Sequence, residues 1–152
     1  GIRDRDVTGV QTCALPISRV GDTEAATLNP ETLIPGLRKA LATHMGQHVL
    51  VAMHHHPSPM GSIWLDGVAL RDAKDFWQII EANPHVRGVA CGHVHQAHDQ
   101  ERNGVRFMST PSTCAQFLPH SDEFALDTRG PGWRWLDLHD DGTLDSAVEW
   151  VC

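Results

Sequence analysis

Two short apolar runs, each ending in histidine, constrain this chain more than any other feature. They are Val49-Leu50-Val51-Ala52-Met53-His54-His55-His56-Pro57 and Val89-Ala90-Cys91-Gly92-His93-Val94-His95. An apolar run of about four to six residues bounded by loop signals reads as a buried strand. Open α/β sheets place their ligands at the carboxyl ends of such strands. Neutral imidazole is the commonest protein metal ligand. Imidazoles delivered by two strand ends to one surface therefore point to a metal site. An extended segment carries i and i+2 on one side, so His93 and His95 are expected to share a cavity, with Gly92 making the turn.

Around these runs the pattern is α-β-α-β followed by antiparallel strands. Asn29-Pro30-Glu31 is a helix-start signal, with a capping Asn and Pro at the first helical position. Leu33, Leu37 and Leu41 repeat at helical spacing, but Pro35-Gly36 argues for a short first turn and then a helix over 35–44. Residues 48–53 are predicted as the first strand, 73–82 as a helix burying Phe76, Ile79 and Ile80, and 86–91 as the second strand. Asn103-Gly104 and Asp141-Gly142 are predicted hairpin turns, flanked by strands near 105–109, 133–138 and 144–151. Residues 57–67, with two prolines and two glycines, read as a long loop. With Trp64, that loop is a candidate substrate wall.

The first seventeen residues stand apart. They show no helical or strand period, and residues 7–17 read as the translation of a DNA-sequencing adapter. Residues 1–4 match the same oligonucleotide, and Arg5-Asp6 would encode its index. This segment is expected to be artefactual and to carry no domain. Residues 18–152 are expected to be one unit, cut from a longer gene. Removing the leader leaves the charge unchanged, because Arg3 and Arg5 balance Asp4 and Asp6.

Composition narrows the partners. The net charge of -7 argues against a nucleic-acid polymer. No run approaches the roughly 20 apolar residues of a membrane span. The four cysteines, Cys13, Cys91, Cys114 and Cys152, form no C-x-x-C pair and suit a reducing cytoplasm. Of the eleven histidines, His44, His48, His85, His98 and His120 read as ordinary core or surface residues. Asp137-Leu138-His139 has metal-like spacing, but its period places it on a solvated edge hairpin.

These residues together resemble the calcineurin-like metallophosphoesterase superfamily: a strand, His54-x-x-Pro57, then Gly92-His93-x-His95. Trp64-Leu65-Asp66, Thr110-Pro111-Ser112-Thr113-Cys114-x-Gln116-Phe117, Phe124-Ala125-Leu126-Asp127 and Gly130-Pro131-Gly132-Trp133-Arg134 are similar to its bacterial 3′,5′-cyclic AMP phosphodiesterases. The resemblance covers about residues 48–151. It implies the carboxyl-terminal half of an α/β sandwich, mixed sheets flanked by helices. It also implies hydrolysis of the small-molecule substrate cyclic AMP to AMP at two divalent metal ions. Those are expected to be iron or manganese, with zinc or magnesium next. His54 and His93 would bind one ion and His95 the other, with His55 the rival of His54. The superfamily's Gly-Asp-x-x-Asp and Gly-Asn-His segments are absent from this sequence, and its single Asp-x-His, Asp137-Leu138-His139, falls on the edge hairpin downstream of the other histidines rather than upstream of them. No catalytic residue is therefore assigned in this chain, which is expected to be inactive and to bind one metal weakly at best. Two other readings stay open: a phosphodiesterase for glycerophosphodiesters or other phosphoesters, and a non-catalytic histidine metal-binding module. The oligomeric state is left open.

Overall fold

The structure, a computed structural model, describes residues 33–151 and the backbone of residues 13–14. Helix α1 (Leu33–Thr43) is followed by strand β2 (Val49–Met53), the short helix α2 (Ile63–Asp66) and helix α3 (Ala73–Glu81). Strands β3 (Val86–Cys91), β4 (His98–Arg102), β5 (Val105–Ser109), β6 (Gly132–Leu138) and β7 (Leu144–Trp150) complete the chain. A two-residue strand β1 (Cys13–Ala14) pairs with the free edge of β2.

The main sheet has the order β1-β2-β3-β5-β4. Strands β2, β3 and β5 run parallel, and β4 returns antiparallel to β5. Alternation along the parallel strands sorts side chains to two faces. Val49, Val51, Met53, Val89, Cys91, Val105 and Phe107 pack in one core with Leu37 and Leu41 of α1 and with Phe76, Trp77, Ile79 and Ile80 of α3. Leu50, Ala90 and Met108 face the other way, under Leu136, Leu138 and Leu144 of the β6–β7 hairpin. Both faces are covered, which is why these strands read as unbroken apolar runs. The layers are helices, sheet, hairpin, in keeping with the expected α/β sandwich.

The expected strands and the helix at 73–82 are present within a residue or two. Helix α1 differs: it runs unbroken from Leu33 through Pro35. Pro35 sits in the first turn, where a helix N–H has no intrahelical acceptor, so no bond is lost. The helix-start signal at Asn29 lies outside the described residues. Residues 57–67 contain α2 and so are not wholly irregular. The Asn103-Gly104 turn has both residues at positive φ, 50° and 81°, as a two-residue hairpin with this twist needs. Strand β1 falls inside the segment read as adapter-derived. Its two residues pair with Val51 and Ala52, since an apolar strand with an open edge accepts any extended backbone. Among the described residues no helix is long and apolar enough to cross a membrane.

Candidate metal centre at the strand ends

Register brings the two histidine motifs together. Met53 pairs with Cys91 at the last rung of β2–β3, and the Gly92 N–H donates to the Met53 carbonyl. The chains therefore leave the sheet side by side, His54 from one and His93 from the other. His54 Nε2 lies 3.2 Å from His93 Nδ1. Two nitrogens bound to one ion at about 2.0–2.1 Å, with angles of about 90–109°, are about 2.8–3.4 Å apart. The imidazole pair thus fits a shared ion.

The turn is not built as expected. Residues 92–95 are not extended, and it is His93 and His95 that adopt the left-handed region, at φ 67° and 48°. Such a backbone costs a non-glycine residue on the order of 1–2 kcal/mol and collects at functional sites. Gly92 has no positive φ, and a Cβ there would meet His54 Nδ1 at an ordinary 3.6 Å. Between the two histidines, Val94 is fully buried in a cluster with Met60 and Leu65 and anchors the turn.

His95 is held by a different device. Its Nδ1 donates to the Ala115 carbonyl at 2.9 Å, and its ring stacks on Phe117 at 4.2 Å and 8°. A donated Nδ1–H leaves the lone pair on Nε2, the arrangement that second-sphere partners give a metal-binding histidine. Neither Ala115 nor Phe117 could be found from spacing. Gln116 supports both: its Oε1 accepts from Ser112 N–H, and its Nε2 donates to the Ser112 and Gly130 carbonyls.

The run His54-His55-His56 fans out. His54 is exposed, whereas His55 and His56 are buried at 1% and 0% exposure. His55 packs 4.4 Å from the His93 ring. His56 Nε2 lies 3.6 Å from Asp66 Oδ1. Asp66 also accepts from the Met60 and Gly61 N–H groups, at 2.7 and 3.1 Å, so it clasps the loop against the buried imidazole. Desolvation, reinforced by the neighbouring imidazoles His55 and His54, pushes the His93 pKa down to about 3. Desolvation lowers that of His56 to about 4, partly opposed by Asp66. Both rings are neutral at pH 7.

Among the described residues no group of three His, Cys, Asp or Glu side chains is arranged to hold an ion. The structure brings His54 and His93 together and places His95 on the neighbouring turn, without closing a set. Trp64, expected along a substrate wall, packs edge-on against Phe117 and Phe124 at 5.1 and 5.3 Å. Of the other histidines, His44 meets Gln47 Oε1, His85 meets the Leu41 carbonyl, and His139 meets Asp145 on the outer hairpin.

No protein-family model matches the chain. Curated relatives do. The chain is 52% identical over 103 residues to a protein of Vibrio vulnificus, covering 68% of this chain and 38% of that protein. It is 48% identical over 112 residues to one of Escherichia coli K12 (74% and 41%) and 42% identical over 115 residues to one of Pseudomonas aeruginosa (76% and 42%). Over the part it spans, the chain is similar to one class of protein, bacterial phosphodiesterases. The particular proteins it is similar to are all named 3′,5′-cyclic adenosine monophosphate phosphodiesterase CpdA. The chain spans about two fifths of their length. A dimetal phosphatase structure from Danio rerio aligns at TM-score 0.48 and 18% identity, covering 70% of this chain and 33% of that one.

Proposed function

We propose that this chain is the carboxyl-terminal part of a bacterial phosphodiesterase that hydrolyses 3′,5′-cyclic AMP to AMP. Residues 18–152 belong to its phosphoesterase domain, and residues 1–17 are not native coding sequence. The observation that carries the reading is the facing pair His54 Nε2 and His93 Nδ1, 3.2 Å apart. A matched stretch of 103 residues in a chain of 152 has to include the middle of the chain, and so both of these histidines.

His54 and His93 would hold one ion and His95 the other. The exposed His54, not the buried His55, is the ligand. Bound divalent ions polarise phosphoryl oxygens and lower the pKa of water. Iron or manganese suits a mixed imidazole and carboxylate donor set, with zinc or magnesium next. The chain's own residues prepare the donors. Burial keeps His93 neutral, so its lone pair is available. The Ala115 carbonyl fixes the His95 tautomer, and the Phe117 ring fixes its plane. The carboxylates that would join two ions come from sequence upstream. The reading is of a cytoplasmic enzyme for a small molecule, with neither membrane nor nucleic-acid polymer as partner, and the acidic charge supports the last point.

The test is turnover of cyclic AMP by the complete gene product, assayed with manganese or ferrous iron beside a panel of other phosphodiesters. The expected result is AMP formation, abolished by His93→Ala, and none from the 152-residue chain. Turnover by the rigorously purified 152-residue chain, or an undiminished rate in His93→Ala, refutes the assignment.

A further inference from the structure

Beside the imidazoles lies an aromatic surface that their chemistry does not require. Residues 116–118 pair back on 125–127 through a Phe117–Leu126 bridge, Leu118 N–H to the Ala125 carbonyl, and Asp127 N–H to the Gln116 carbonyl. This small hairpin carries Phe124 to a position 5.5 Å from Phe117 and 5.3 Å from Trp64, ring centre to ring centre. Phe124 is nevertheless 63% exposed. Ile63, Leu118 and Leu126, in the same two segments, are also exposed. Four of the seven exposed large hydrophobics among the described residues therefore lie in or next to these segments, and the exposed Phe124 ring is joined to Trp64 and Phe117 by ring contacts.

We infer that Trp64, Phe117 and Phe124 form a stacking platform for the purine base of a nucleotide whose phosphoryl group lies at the histidines. The inference rests on the phosphodiesterase reading and names the part of the site that selects the base. Three features choose this occupant. The platform is built of aromatic rings, and every nucleobase offers a π-face to stack on one. It is continuous with the imidazoles, because Phe117 stacks directly on His95. A base stands one sugar away from its phosphorus, so a platform one ring from His95 lies where the base must go. Its three rings carry no charge, which suits a neutral base. Trp64 already has two ring neighbours and reports on the platform without being altered.

The experiment is NMR of the complete gene product with 15N-labelled indoles, the Trp64 N–H being assigned from Trp64→Phe. AMP is titrated in, with ribose 5-phosphate as the ligand that has the phosphate and sugar but no base. The expected result is a saturable shift of the Trp64 signal by AMP, with ribose 5-phosphate weaker by about 5- to 150-fold, the range that stacking of one base supplies. Phe124→Ala should bring AMP down to the level of ribose 5-phosphate, and Phe124→Tyr should restore it. Phe124 is exposed, so these variants do not disturb the core. Equal responses to the two ligands, or no response to AMP, overturn the inference. So does a Trp64 signal that moves with protein concentration alone, which would mean that a second copy covers the patch. The readout needs no turnover. A base-dependent shift without cyclic AMP hydrolysis by the complete gene product would sink the phosphodiesterase reading and keep the platform, and the converse would do the reverse.

Discussion

Replacing Gln116 with Leu should unfasten the loop that holds His95. The side chain is fully buried and makes three hydrogen bonds, of 2.7 to 3.0 Å, to backbone groups of Ser112 and Gly130. Leucine fills a similar volume, so the change isolates the polar contacts. The Ser112 carbonyl keeps a second donor, Gly132 N–H at 2.8 Å. Ser112 N–H and the Gly130 carbonyl lose the partner described for them. Each buried group left unsatisfied costs about 1–3 kcal/mol. Both residues are only half-buried, which brings the expected loss to about 2–4 kcal/mol. The assay is urea unfolding with an unchanged m-value, alongside the 15N shifts of the His95 ring, which report its tautomer. Gln116→Glu should be worse than Leu at neutral pH, because a carboxylate would face the Ser112 and Gly130 carbonyls. It should recover as pH falls and the acid protonates. A loss below about 0.5 kcal/mol with an unmoved His95 tautomer would refute the reasoning.

Three further outcomes follow from the same geometry. In metal-free protein the depressed pKa of His56 means that its contribution is intact above the unfolded value of 6.5 and is lost as pH falls toward about 4. The full size is about 3 kcal/mol, read as a decline in urea stability over that window that His56→Leu makes shallower by that amount, His93 supplying a further decline. Gly88→Ala should loosen the β6–β7 hairpin by about 1–3 kcal/mol, because the new Cβ would meet Leu144 at 2.5 Å and Leu50 at 3.1 Å. Thermal unfolding measures it, and Leu144→Ala in the same chain should recover part of the loss. Arg134 is almost fully buried and donates to the Ser109 and His98 carbonyls and to Asp99, tying the hairpin to the sheet edge. Arg134→Lys cannot reproduce that fork and should cost about 2–3 kcal/mol by denaturant unfolding.

The fold was largely legible because its signals are local. The runs at β2 and β3, the positive-φ pair at Asn103-Gly104, and the apolar stripe Phe76, Ile79, Ile80 each state their element in a few residues. Pro35 misled because a proline's effect depends on its distance from the helix start, and that start was placed two residues late. The site was legible as to which strands deliver it. It was not legible as to how. Extended spacing suggested a common side for His93 and His95, whereas the side chains are aimed by two left-handed residues and a buried Val94. The second sphere was invisible for a plainer reason. A backbone carbonyl such as that of Ala115 has no letter in the sequence, and the clasp of Asp66 on His56 exists only once α2 folds the loop back.

The central claim, that these histidines are one side of a severed two-ion centre, is tested most directly by reading genomic DNA outward from the His54 codon past residue 18. The account predicts that the codons for residues 1–17 vanish. In their place should stand a coding sequence with Asp-x-His, Gly-Asp-x-x-Asp and Gly-Asn-His segments, which supply the missing carboxylates. Codons for residues 1–17 running on without a break in the genome would contradict it and leave a histidine pair with no second half to complete.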